Sequence, residues 1–302
     1  MKKAFILVAH QLPEQVNILI HQLISDGETD VFVHVDKKVE ATIKDKIEKG
    51  NHIFFIKNNV SINWGENGLL RATLNSYREI LATGNDYKYV FMVTGQDLLV
   101  KDGLDEYLEK NNGRAFIDCD NDRPKYYDRF KRAMLLHPWP KVFLKRYDFK
   151  LNPIKILRAL RLRTYMIFPW LNMKKLSFNV DAIQFYYDKV WHAFPIDIVK
   201  YIITFLDENP SFWEIYENSF MADEGFFTTV IRNSPYRDCI VFENQKCHSI
   251  TFNKKAVNNH PPILTMEDVK EIELAESCYF ARKFDSRIDN KVIEYFGNTI
   301  KL

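Results

Sequence analysis

Two adjacent carboxylates, Asp223 and Glu224, stand in the run Met221-Ala222-Asp223-Glu224-Gly225-Phe226-Phe227, at the head of a helix-like stretch. Acids in that place satisfy free helix amides as a matter of course. The same pair beside aromatic surface also suits a general base. Apolar neighbours raise a carboxylate's proton affinity and leave it able to take a proton from a hydroxyl. A second run, Phe280-Ala281-Arg282-Lys283-Phe284-Asp285, sets two cations between phenylalanines. One reading is a surface strand whose basic stems lie on apolar surface with their heads in water. The other is a backbone anchored by its rings, with Arg282 or Lys283 fixed in a cleft as a cation for a diphosphate. A third pattern concerns metal. Asp118-Cys119-Asp120 has the D-x-D spacing with which metal-dependent nucleotide-sugar transferases hold a divalent ion. Gly95-Gln96-Asp97 occupies a similar strand end with one carboxylate. A solvated strand end explains D-x-D as simply, and an oxygen-rich ion site wants more ligands than these.

Other chemistries lose their usual supports. The chain has no G-x-G-x-x-G, no Walker-type phosphate loop, no G-x-S-x-G and no H-E-x-x-H. Four cysteines, Cys119, Cys239, Cys247 and Cys278, are widely spaced without C-x-x-C. That excludes a zinc-finger pattern and speaks for reduced thiols over a disulfide framework.

The elements that must position these residues alternate along the first 120 positions. Residues 4–9 form a continuous apolar run ending in His10, as expected of a strand covered on both faces. Residues 13–24 carry helical spacing. Residues 31–35 read as a second strand, ending at Asp36. Residues 39–47 read as a helix, 52–56 as a strand, 69–81 as a helix and 87–93 as a strand ending at Thr94-Gly95-Gln96-Asp97. A helix at 104–108 and a strand at 114–117 follow. Repeated β-α units of this length predict a mostly parallel sheet, with ligands beyond the carboxyl ends of its strands. His10, Asp36 and Asp97 stand at such ends. Further on, 190–194 and 239–242 read as strands, 196–206 and 224–231 as helices, and the tail from 265 as mainly helical.

The 302 residues are 46% apolar and 27% charged, which suits a globular chain with a large core and excludes collagen-like and disordered classes. The expectation is a single domain, 1–302, comprising a nucleotide-binding half (1–120), a basic aromatic insertion (121–175) and a catalytic half (176–302). Net charge is only +2, yet residues 141–175 hold ten Lys or Arg and one acid. So local a basic segment suits an anionic partner such as a membrane surface or lipid diphosphate, or is simply a solvated face. Nucleic acid is not expected. The opening Met1-Lys2-Lys3 and its short apolar run imitate a signal peptide without a cleavage site and read as a buried strand. No apolar run is long enough to span a bilayer.

Taken in order, these pieces resemble the core-2/I-branching N-acetylglucosaminyltransferase and peptide-O-xylosyltransferase family. Residues 4–10, His34-Val35-Asp36-Lys37, Asn63-Trp64-Gly65, the strand ending at Thr94-Gly95-Gln96-Asp97, Trp191, Asp223-Glu224-Gly225-Phe226-Phe227 with Asn233-Ser234-Pro235, and Phe280-Ala281-Arg282-Lys283-Phe284 match its motifs in sequence. The resemblance implies a single α/β domain of the GT-A type and an inverting transfer from a UDP-sugar to a glycan hydroxyl without a bound metal or other cofactor. By position it makes Glu224 the base and places Lys283, with Arg282, on the leaving diphosphate. Val8, His10 and Asp36 fall beside uracil and ribose, and Trp64, Gly65 and Asp97 at the donor. Asp223 and Trp191 fall on the acceptor side. The sequence lacks the Pro that often follows the family's Asp at position 97. The animal members carry Golgi anchors and disulfides; this chain is expected to be a bacterial cytosolic member, peripheral to the inner membrane face. Two other readings stay open: a metal-dependent transferase using Asp97 or Asp118 and Asp120, and a non-catalytic nucleotide- or glycan-binding protein.

Overall fold

A computed structural model describes residues 1–63, 65–119, 177–217, 221–241, 249–250, 262–276 and 278–302. The basic segment 141–175, Trp64 and Asp120 lie outside the described residues. The main sheet has seven strands: β1 (Lys3–Ala9), β2 (Asp30–Val35), β3 (Ile53–Phe55), β4 (Tyr89–Thr94), β6 (Ala115–Cys119), β7 (Asp188–Pro195) and β8 (Ile240–Val241). Their spatial order is β3-β2-β1-β4-β7-β6-β8. Strands β1 to β4 are mutually parallel, and β8 is parallel to β6. Strand β7 runs antiparallel between β4 and β6. The mostly parallel, helix-flanked sheet is a GT-A-like nucleotide-binding architecture, as the β-α alternation predicts.

Strands β1, β2 and β4 are buried along their whole length, which is why they read as continuous apolar runs. Alternate residues feed two cores. Ala4, Ile6 and Val8 face a core with α3 (Gly68–Ala82), α5 (Ile196–Glu208) and α7 (Phe226–Arg232). Phe5, Leu7 and Ala9 face a second core with α1 (Pro13–Leu23) and α9 (Asn290–Thr299). Phe5 stacks on Phe91 with ring centroids 4.5 Å apart, and Phe280 closes on both rings. The aromatic richness is thus largely spent on packing.

Two elements differ from the sequence reading. The helix expected over 39–47 is a single turn, α2 (Glu40–Ile43), followed by a 3-10 turn at Lys44–Lys46. It buries only Ile43 and starts without a side-chain cap, so little holds a longer helix. The tail is not mainly helical. After α8 (Val269–Leu274) comes strand β10 (Phe280–Arg282), which pairs antiparallel with β5 (Asp97–Leu99) and parallel with β9 (Ser249–Ile250) in a small second sheet. Helix α4 (Leu104–Lys110) precedes β6, and helix α6 (Trp213–Glu217) follows α5. Among the described residues no helix is long and apolar enough to cross a membrane. Cys239 is a free thiol.

Candidate functional site

The carboxyl ends of β1, β2 and β4 meet the start of β7, because β7 runs against β4. At this edge Gly95 donates its amide to the Val8 carbonyl at 3.0 Å, and Asp36 donates its own to Ala9 at 2.9 Å. Val8 is therefore a backbone position between two strand ends, 4% exposed. The Asp36 carboxylate accepts from the Lys38 amide at 3.0 Å and faces the Lys38 ammonium at 3.4 Å. Lys38 in turn donates to Asn63 Oδ1 at 3.0 Å and to the Ile62 carbonyl, next to Trp64. His10 is exposed at the rim, yet protein crowding its ring holds its pKa below the usual imidazole value. Asp36 opposes that shift, while Lys283, Lys38 and Arg282 reinforce it.

Asp97 is hydrogen-bonded through one oxygen and ion-paired through the other, which has no hydrogen-bond donor among the described residues. Oδ2 accepts from the Thr94 amide at 2.6 Å and the Thr94 hydroxyl at 3.0 Å. Oδ1 faces Arg282 Nε at 3.5 Å, with both side chains more than nine-tenths buried. This contact follows from strand register, since Arg282 pairs with Asp97 across β10 and β5. The other face of the guanidinium lies 3.6 Å from the centroid of the Trp191 ring. A flat cation is thereby held between a carboxylate and an aromatic plane. Burial pushes the Asp97 carboxyl up against the pull of Arg282 and Thr94. Arg282 remains protonated despite a burial-lowered pKa, because guanidinium starts far above neutrality. Its Nε and Nη1 have no hydrogen-bond acceptor among the described residues. Lys283, next in the chain, is half-buried; burial and then Arg282 lower its pKa, and Asp97 opposes them.

Gln15 of α1 ties the two strand ends together, a role that no sequence pattern announced. Its Nε2 donates to the Gly95 carbonyl at 2.8 Å and the Phe284 carbonyl at 3.2 Å. Its Oε1 accepts from the Ser286 amide at 3.0 Å. Gly95 itself leaves no room for a side chain: a Cβ there would sit 2.6 Å from Val16 Cγ2.

The carboxylate pair lies just before α7, in the turn at 221–225; the helix expected to open at Glu224 begins two residues later, at Phe226. Asp223 and Glu224 are partly exposed. The Met221 amide donates to the Gly65 carbonyl at 2.8 Å, which seats this turn against Gly65. Asp188, at the start of β7, is fully buried and accepts from the Thr228 amide at 2.8 Å. Asp188 and Thr94 join Gln15 as residues of the site that sequence reasoning missed. The available signal for Asp188 was weak: it is the one acid of a strand that also holds Lys189 and His192.

The structure thus gathers His10, Asp36, Asp97, Arg282 and Lys283 around the ends of β1, β2 and β4, with Trp191 beneath Arg282. It brings Gly65 to the turn that bears Glu224. Trp64 and Asp120 lie outside the described residues, and Asp118 falls on β6. Among the described residues no group of three or more His, Cys, Asp or Glu could hold a metal ion.

Sheet order and a polar cluster at the carboxyl edge define an α/β domain of the nucleotide-binding GT-A class. The model of the Core-2/I-branching enzymes matches residues 4–274, and the chain belongs to that family. It is 22% identical over 326 aligned positions to xylosyltransferase 2 of Rattus norvegicus, covering 96% of this chain and 33% of the rat protein. The chain spans about a third of that relative's length. A 4-diphosphocytidyl-2C-methyl-D-erythritol synthase from Anaerococcus prevotii DSM 20548 overlays with a TM-score of 0.33 and 13% identity, covering 70% of this chain and 77% of that one. An overlay that distant carries no argument about activity.

Proposed function

We propose that this protein is an inverting glycosyltransferase that moves a sugar from a UDP-sugar to a glycan hydroxyl without a bound metal. The observation that carries this reading is the buried Asp97–Arg282–Trp191 stack with Lys283 beside it. An incoming diphosphate would meet Arg282 already fixed, with Lys283 beside it. Electrostatic groups set in place before reaction stabilise developing charge without reorganising. Asp97 is a poor metal ligand in this setting: Thr94 occupies one oxygen and a guanidinium faces the other.

In the reaction, Glu224 takes the proton of the acceptor hydroxyl as that oxygen attacks the anomeric carbon. The bond from that carbon to the UDP oxygen breaks, and its electron pair leaves on the β-phosphate. Attack opposite the leaving group inverts the configuration. Lys283 and Arg282 offset the charge gained by the diphosphate, while the turn at 221–225 aligns the hydroxyl with the donor. GlcNAc and xylose are the leading donor sugars, the second because the rat relative is named a xylosyltransferase. The acceptor is a glycan or lipid-linked glycan in the making of a bacterial surface polysaccharide or glycoconjugate. The cationic stretch 141–175 supports an acceptor carried on an anionic lipid.

Calorimetric titration of UDP in excess EDTA, with GDP and CMP for comparison, tests the site. UDP-selective binding in chelator supports it. Binding that returns only with manganese assigns the diphosphate to an Asp-held metal and overturns the role given to Lys283. A screen of UDP-sugars against glycan acceptors then tests transfer itself. Tight UDP binding without turnover on any of them favours a non-catalytic binding protein.

A further inference from the structure

Helix α7 begins directly after the turn that carries Glu224, and its start lacks the usual cap. The N-cap residue is Gly225, which has no side chain to accept from the free amides of the first turn. A buried acid from a different element fills that role. Asp188 Oδ2, at the first position of β7, accepts from the Thr228 amide in the first turn of α7. Asp188 is fully buried, and its Oδ1 has no hydrogen-bond partner among the described residues.

We propose that Asp188 is the positioning residue for the base: from β7 it caps α7 in place of Gly225 and so fixes the turn at 221–225 that carries Glu224. This rests on the reading of Glu224 as base. The geometry is economical. The other end of the turn is held by the Met221 amide on Gly65, so the attachments at Met221 and Thr228 clamp the stretch 222–227, with Glu224 in it, between them.

Burial favours the protonated form of the Asp188 carboxyl. Burial pushes its carboxyl well up; hydrogen bonds from Thr228 oppose that, and the nearby charges of Asp223 and Glu224 add to it. Tyr77 and Tyr216, whose phenols are themselves raised first by burial and then by Asp188, face it from α3 and α6. A neutral carboxyl still accepts from the amide through an oxygen.

The test compares Asp188→Ala, which removes the acceptor, with Asp188→Asn, which keeps it without charge. Amide hydrogen exchange over residues 221–232 is expected to quicken in Asp188→Ala and return to the wild-type rate in Asp188→Asn. For transfer, Asp188→Ala is expected to lower kcat by about 10²-fold through misplacement of the base, with UDP affinity unchanged. Asp188→Asn restores kcat. Should Asp188→Ala fail to fold, Asp188→Ser, too short to reach the amide, takes its place. Unchanged exchange in Asp188→Ala overturns the proposal, and so does an Asp188→Asn variant as impaired as Asp188→Ala. The exchange measurement decides the capping role even where Glu224→Gln shows that Glu224 is not the base.

Discussion

The Met221 amide donates to the Gly65 carbonyl at 2.8 Å, joining two segments 156 positions apart in the chain. Both residues have left-handed backbones, with φ of 52° at Met221 and 79° at Gly65. One hydrogen bond thus links the loop assigned to the donor with the turn that carries Glu224. Gly65→Ala is expected to cost about 1–2 kcal/mol, because an L side chain resists that φ. Chemical denaturation measures the loss. A steeper fall in transfer than in UDP affinity would mark the turn as the part displaced.

Glu224→Gln keeps shape and removes the basic oxygen. Transfer is expected to drop by about 10²–10⁴-fold, the usual worth of a positioned base, while UDP binds as before. Preserved transfer would remove Glu224 from the role of base.

Lys283 supplies a full charge only while protonated, and burial followed by Arg282 places its pKa below that of a free lysine. UDP affinity should therefore fall as pH rises through that lowered value, earlier than for an exposed lysine. Lys283→Arg should flatten the alkaline fall, and Lys283→Ala should weaken binding at every pH. Calorimetric titration across pH 7 to about 10 reads the difference, the upper end lying near an ordinary lysine pKa.

Trp191 lies under the Arg282 guanidinium at 3.6 Å. Removing the ring in Trp191→Ala takes away a desolvated cation–π contact of about 2 kcal/mol, or roughly thirtyfold in affinity if it all passes to the diphosphate. Weakened UDP binding with an unchanged acceptor KM would make Trp191 a support for Arg282. A raised acceptor KM with unchanged UDP affinity would instead seat it on the acceptor side, as the family resemblance implies.

Strands β1, β2 and β4 were legible because their burial on both faces forces uninterrupted apolar runs. Strand β10 was not. Its three residues, Phe280-Ala281-Arg282, have no periodicity to read, and they find partners only across the fold, in β5 and β9. Helix α2 was over-extended because the acids and bases of 40–46 permit a helix that tertiary packing does not support.

Sequence alone determined the chemistry on offer: a carboxylate pair before a helix, two cations between phenylalanines, and polar residues closing successive strands. Those are local facts of type and spacing, and they survive in any fold that places strand ends together. The tertiary structure decided which atoms they meet. Register across β5 and β10 sets Arg282 against Asp97, and the reversed direction of β7 brings Trp191 under the guanidinium and Asp188 to the first turn of α7. Such contacts join residues dozens to hundreds of positions apart. Burial then makes them consequential, because charges and hydrogen bonds withdrawn from water are costly to leave unmet.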